Sequence, residues 1–245
     1  MAFKIALTAG HYMGTYGKRC MKSLDPNETR EWWLNDRIAD KVEKLLQNYL
    51  GWELIRTDDT TGQKDISLTA RTNAANNFKA DFYLSIHHNA GINGGKGGGI
   101  VSIVYTKASA ESLEWQKELY DALIAATGLK GNRATPLAKQ NLHEVRETSM
   151  PAVLLELGFM DSATDVPVIL TEKFADQCAA AIVKVLVKRG GLQAKPVDVK
   201  PADSAPANVF YRVQVGAYND PNNADRMREK LADAGFPGMI VKVEK

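Results

Sequence analysis

The sequence predicts a three-layer α/β fold, a largely parallel sheet flanked by helices, with a small C-terminal β-α-β segment. Apolar runs of strand length, 3–8, 82–87 and 151–155, alternate with longer stretches of helical periodicity. That is the pattern of strands buried on both faces and joined by crossover helices. Each of the three runs also finishes at a coordinating or titratable side chain, His11, His87 or Glu156. In open α/β sheets the ligand site lies beyond the carboxyl ends of such strands.

Composition agrees with that class. The chain has 245 residues, 44% hydrophobic and 24% charged, enough for one well-filled core and a small second module. A net charge of +2 argues against a nucleic-acid partner held by phosphate contacts, which needs a strongly basic surface. Cys20 and Cys178 lack metal-ligand spacing, so a zinc ribbon is excluded and two free thiols are expected. No apolar run is long enough for a transmembrane segment. The first residues, Met1-Ala2-Phe3-Lys4, do not read as a signal peptide; the expectation is synthesis in the cytoplasm and release by lysis or a holin-like route.

Taken in order, residues 3–8 form the first strand, and a Gly- and Lys-rich loop follows at 14–23. Asp25-Pro26-Asn27-Glu28 reads as a helix start, with a capping residue, a proline at the first helical position and an acid three residues on. The helix should run to about residue 50. Leu34, Ile38, Val42 and Leu45/Leu46 recur at spacings of three and four, which gives one face to pack on the sheet. Glu31 lies near that face and points to the sheet edge beside His11. A strand at 52–56 and a helix over about 66–78, with Leu68, Ala75 and Phe78 inward, lead into the central strand at 82–87.

The glycine-rich run 91–99 opens a strand at 100–105 and lacks the Gly-Lys-Ser/Thr ending, so it is no phosphate loop. It is either a pliant rim that admits a bulky substrate or a plain connector. A helix over 110–127, an irregular stretch holding His143 and Arg146, a strand at 152–157 and a helix over 172–188 complete the first domain, 1–189. Residues 190–208 change to a Pro/Ala-rich composition and read as a semi-rigid linker. Beyond it, 209–216 alternates as a strand, 223–234 is amphipathic helix, and 239–243 is a second strand.

Catalytic zinc takes three His or carboxylate ligands and keeps a fourth position for water, whose pKa falls to about 7. His11, Glu31 and His87 would supply two imidazoles and a carboxylate. Glu156, set in an apolar run that should raise its pKa towards neutrality, would be the base. Singly, a strand-end histidine or a first-turn glutamate is ordinary. All four at one edge of one sheet is what the ordinary readings do not predict. Adjacent strand residues point to opposite faces, so only one of His87 and His88 should bind metal. His88, Asn89, His143 and Arg146 are candidates for binding substrate.

Ala9-Gly10-His11, Glu31-Trp-Trp-Leu-Asn35, Ser85-Ile-His87-His-Asn89-Ala90 and Pro151-Ala-Val-Leu-Leu-Glu156-Leu-Gly-Phe159 together resemble the zinc-dependent N-acetylmuramoyl-L-alanine amidases of peptidoglycan (amidase type 3). Arg56-Thr-Asp58 and Ser67-Leu-Thr-Ala-Arg71 are similar to the same family, and the resemblance covers about residues 3–188. It implies Zn2+ as cofactor, His11, Glu31 and His87 as its ligands, Glu156 as the catalytic carboxylate, and peptidoglycan as substrate. The family's ligand glutamate stands four residues before an asparagine, which selects Glu31 over Glu28. His88 and Tyr12-Met-Gly14 depart from the usual pattern. Tyr211-Arg-Val-Gln214-Val-Gly-Ala-Tyr218 resembles one β-α-β repeat of the sporulation-related (SPOR) module, with Tyr211 and Gln214 as candidate glycan contacts. The resemblance implies a lytic enzyme, a phage endolysin or a mother-cell autolysin. Another zinc hydrolase of the same polymer, a deacetylase or carboxypeptidase, and a non-catalytic wall-binding protein remain the alternatives.

Overall fold

The fold is taken from a computed structural model that describes residues 2–196, 214–233 and 238–242. The chain divides into two compact units, Met1–Pro196 and Val197–Lys245. In the first, the order is β1 (Phe3–Ala9), α1 (Glu31–Leu46), β2 (Tyr49–Leu50), β3 (Trp52–Arg56), α2 (Leu68–Phe78), β4 (Phe82–Asn89), β5 (Ile100–Tyr105), α3 (Ala110–Thr127), β6 (Leu137–Gln140), α4 (His143–Arg146), β7 (Ala152–Phe159), α5 (Val166–Ile169), α6 (Glu172–Gly190) and β8 (Gln193–Ala194). Six strands form the main sheet in the order β3-β1-β4-β7-β5-β6. The first four are mutually parallel, β5 runs antiparallel to β7, and β6 is parallel to β5.

Because successive strand residues face opposite ways, each strand serves two cores. Ile5, Leu7, Phe82, Leu84, Ile86, Val153, Leu155 and Leu157 pack with α1, α3 and α6. Ala6, Tyr83, Val101, Ile103, Ala152 and Leu154 pack on the other face, with Ala75 of α2 and Val145 of α4. Helix α1 contributes the expected stripe: Leu34, Ile38, Val42 and Leu46 are fully buried, each contributing about 1.5–3 kcal/mol on transfer from water. Cys20 and Cys178 are buried free thiols.

Several boundaries differ from the sequence reading. Helix α1 starts at Glu31, not near Asp25. The Asp25 carboxylate instead accepts from the backbone amides of Asn27 (3.1 Å) and Thr29 (2.7 Å), and Glu28 is left-handed at φ 49°. A residue that can cap a helix can equally close a turn, and here the turn wins. In α2, Leu68 is exposed while Arg71, Thr72 and Ala75 are buried. The short strand β6 and the turn of helix α4 occupy the stretch that looked irregular.

The glycine-rich run is tied down. One Asp161 carboxylate oxygen accepts from the amides of Gly91, Ile92 and Asn93, each at 2.8 Å. Asp165 accepts from Gly99 (2.7 Å) and Phe159 (2.9 Å). At Gly98, φ 109°, a Cβ would lie 2.5 Å from Asp165 Oδ2, so this corner requires glycine.

Residues 191–196, expected in the linker, belong to the first unit, where Gln193–Ala194 pair antiparallel with Tyr49–Leu50. The rest of the Pro/Ala-rich stretch lies outside the described residues. In the second unit α7 spans Pro221–Asp233, with Ala224, Met227 and Leu231 as its half-buried stripe. Residues 214–216 and 239–242, expected in strands, are in no strand among the described residues, and the remainder of both expected strands lies outside them. Among the described residues no helix is long and apolar enough to cross a membrane.

Arg71 joins α2 to the end of β1. Its guanidinium, 2% exposed at the residue level, donates to Ile66 O (2.9 Å), Thr8 Oγ1 (2.7 Å), Ala9 O (2.7 Å) and His11 O (2.9 Å). Arg71→Ala leaves Thr8 Oγ1 and Ala9 O buried without this donor, and should cost about 3 kcal/mol. Urea unfolding measures it; a loss within about 1 kcal/mol would mean that water replaces the clamp.

Candidate functional site

Four side chains meet where β1, β4 and β7 end under the first turn of α1. Gly10 continues β1, its amide donating to Ile86 O at 2.9 Å. A Cβ there would fall 2.0 Å from His87 Cε1, so the absent side chain is what lets the His87 ring lie across the strand end. His11 follows at φ 68°, a conformation that costs a non-glycine residue about 1–3 kcal/mol. The Arg71 bonds to the carbonyls on either side of Gly10 hold it there.

Glu31, fully buried, opens α1, and its amide is taken by Lys18 O at 3.0 Å. Its two oxygens face the two imidazoles: Oε2 is 3.4 Å from His11 Nε2 and Oε1 is 3.0 Å from His87 Nδ1. The rings stand edge to face, 88° apart with centroids at 5.0 Å. One ligating atom from each residue lies within 4.8 Å of the others. Ligands on a tetrahedral zinc with bonds of about 2.0 Å sit about 3.3 Å apart. The donor set and the spacing fit such an ion, and Glu31 Oε2 is buried with no hydrogen-bond partner.

Burial of Glu31 works against its charge, but the close approach of the His11 and His87 imidazoles outweighs it and holds the carboxyl well below the usual range. His87 responds in kind. Burial opposes its protonation, and the carboxylates of Glu144, Glu31 and Glu156 override that and raise its pKa. Glu156 is the parallel-register partner of His87 on β7, so the two side chains share one face of the sheet. Its Oε2 is buried and unpartnered. Burial, with the Glu31 charge adding and His87 and Lys18 opposing, pushes it up to about 7. Lys18 Nζ sits 3.5 Å from Glu31 Oε2.

The neighbouring histidine has a different place. His88 points to the α1 face and is 1% exposed, which removes it from the candidate substrate contacts. Asn35 Nδ2 donates to Gly10 O (3.1 Å), which leaves its Oδ1 to accept from His88 Nδ1–H at 2.8 Å. The His88 amide also donates to Glu31 Oε1 at 3.2 Å. Burial chiefly, with the Arg37 and His87 charges adding against Glu31, lowers the His88 pKa to about 3.

The other candidate contacts are dispersed. Asn89 is half-buried and its Oδ1 accepts from the Ala90 amide at 2.8 Å. His143 Nε2 lies 3.3 Å from Thr72 Oγ1, and Arg146 pairs with Asn141 Oδ1 at 2.8 Å and with Glu147. Those contacts do not involve the triad. In the second unit Gln214 is exposed, while Tyr211 lies outside the described residues.

Glu144 is the residue that sequence reading missed. It is 4% exposed, accepts from Tyr83 OH at 2.6 Å and Ser85 Oγ at 3.4 Å, and brings Oε2 to 3.6 Å from His87 Nε2. Burial resists its ionisation, but His87, Tyr83 and Arg71 together lower its pKa. A glutamate between His143 and Val145 in a four-residue helix carries no periodic signal that would mark it.

Residues 5–188 match the N-acetylmuramoyl-L-alanine amidase family, and residues 189–245 match the SPOR domain. The sporulation-specific N-acetylmuramoyl-L-alanine amidase of Bacillus subtilis is 32% identical over 216 residues, 88% of this chain and 77% of that protein. An endolysin of Bacillus phage SPP1 is 34% identical over 171 residues, covering 66% of this chain and 61% of its own length. Among solved structures, an N-acetylmuramoyl-L-alanine amidase of Clostridium difficile 630 superposes with a TM-score of 0.68 at 28% identity, over 76% of this chain and 96% of that one. The catalytic domain of the amidase CwlV from Bacillus (Paenibacillus) polymyxa gives 0.66 at 26% identity, over 77% and 98%.

The His88 environment makes a pH prediction. A histidine whose folded pKa is about 3 against an ordinary value of 6.5 binds fewer protons folded than unfolded between those values. Its contribution to stability is therefore complete above 6.5 and is lost as pH falls towards 3. In a histidine NMR titration of the metal-free protein, the His88 ring should stay neutral through pH 5; protonation near its ordinary value would contradict the burial account.

Proposed function

We infer the activity of this chain from its membership: it belongs to the N-acetylmuramoyl-L-alanine amidase family. It hydrolyses the amide between the lactyl group of N-acetylmuramic acid and the L-alanine of the stem peptide in peptidoglycan, as a lytic enzyme. The observation that carries this reading is the convergence of His11, Glu31 and His87 with Glu156 in register beside His87.

Zinc held by His11, Glu31 and His87 would supply a Lewis acid for the amide carbonyl and lower the pKa of water to about 7. Glu156 then handles the proton. As a carboxylate it takes one from the attacking water while the new C–O bond forms. As an acid it returns that proton to the alanine nitrogen while the C–N bond breaks, leaving a lactyl carboxylic acid and a free amine, whose remaining proton exchange in water gives carboxylate and ammonium. Its raised pKa, about 7, suits both halves of the cycle. Glu31 keeps His11 and His87 oriented, and Asn35 with His88 fixes α1 against Gly10.

Purified peptidoglycan should yield new N-terminal L-alanine, the yield vanishing with chelator and returning with zinc. Release of acetate or of a D-amino acid instead would replace the amidase reading by another hydrolase. Glu156→Gln should keep zinc binding and lose at least about a hundredfold in rate. The wild-type rate should fall as pH drops through the Glu156 pKa, about 7 without a cation and lower with one. Undiminished activity in the variant would remove Glu156 from the chemistry.

The second unit, a SPOR domain, is proposed to hold glycan strands, with Tyr211 and Gln214 as contacts. Co-sedimentation of the full chain with peptide-free glycan checks this: Tyr211→Ala with Gln214→Ala should lower the bound fraction, and unchanged binding would dismiss both residues.

A further inference from the structure

We propose that Glu144 is a positioning residue for His87, accepting a hydrogen bond from Nε2–H so that Nδ1 is the nitrogen presented to the metal. The inference rests on the metal-site reading above and adds a residue outside the triad. The two ring nitrogens of His87 have different surroundings. Nδ1 faces Glu31 Oε1 at 3.0 Å, beside a proposed ligand oxygen. Nε2 is buried, has no hydrogen-bond partner, and lies 3.6 Å from Glu144 Oε2. A small side-chain adjustment turns that approach into a hydrogen bond.

Glu144 is itself fixed. Tyr83 OH donates to its Oε1 at 2.6 Å, and Ser85 Oγ reaches Oε2 at 3.4 Å. Tyr83, Ser85 and His87 are alternate residues of β4 and so share one face; a single carboxylate from α4 spans all three. The backbone of Glu144 is also held, its carbonyl accepting from Thr148 Oγ1 at 2.9 Å. A metal-bound imidazole ordinarily donates its second N–H to a carboxylate or carbonyl, which sets the tautomer and the ring orientation. Glu144 is the buried carboxylate standing at that second nitrogen.

Two measurements on the full chain test this. In zinc-loaded protein labelled with nitrogen-15 histidine, the His87 proton should reside on Nε2. Zinc affinity, read by competition with a chromogenic chelator, should weaken about 10–100-fold in Glu144→Gln, with the zinc-free unfolding midpoint taken as the control for folding. If wild type takes up no zinc, the metal-site reading fails and this proposal with it. If wild type binds zinc but its His87 proton sits on Nδ1, or the folded variant binds within about twofold of wild type, the role of Glu144 alone is overturned. Should the variant not fold, the tautomer in wild type still decides.

Discussion

The site depends on one buried carboxylate. Glu31 has no exposure, and an isolated charge in that position would be expelled or neutralised. It is retained because each oxygen meets an imidazole and the His88 amide adds a hydrogen bond. The same requirement brings β1, β4 and α1 together: Gly10 must lack a side chain, His11 must turn left-handed, and α1 must begin at Glu31 and no earlier. The loop between β1 and α1 meets that last condition by spending Asp25 on a turn.

Pleating gives β4 its double role. His87 faces Glu156, Tyr83, Ser85 and Glu144, where the chemistry is proposed. His88, one residue on, faces α1 and bonds Asn35. Two identical side chains thus acquire opposite titration behaviour, the first raised by carboxylates and the second lowered by burial. Environment, more than residue type, separates a proposed ligand from a structural histidine.

The fold was legible because strand-length apolar runs and a three-four helical stripe are strong local signals. The strands expected at 3–8, 52–56, 82–87, 100–105 and 152–157 are present, each ending within two residues of its expected end, and the largely parallel sheet and the stripe of α1 follow from the same signals. Signals with two uses were read wrongly: Asp25 resembled a cap and closes a turn, and Leu68 resembled a core residue although its helix buries Arg71. The short elements β6 and α4 have too few residues to show a period. His11, His87 and Glu156 stood out because they close apolar runs, and Glu31 because it stands near the apolar face of a helix and four residues before Asn35. Glu144 did not, since its side-chain partners Tyr83 and Ser85 lie 61 and 59 positions away in sequence; Arg71 stood out only as part of a family motif, and its acceptors at the end of β1 lie 60 to 63 positions away. The glycine-rich run was ambiguous for a similar reason, because the acids that fix it, Asp161 and Asp165, come from beyond β7.

Everything proposed for the chemistry passes through the triad around Glu31, so the most direct test is to see what it holds. Crystals of the full chain grown with zinc, with diffraction recorded across the zinc absorption edge, should give one anomalous peak about 2.0–2.2 Å from His11 Nε2, a Glu31 oxygen and His87 Nδ1. No peak there, or a peak bound by other residues, would contradict the account.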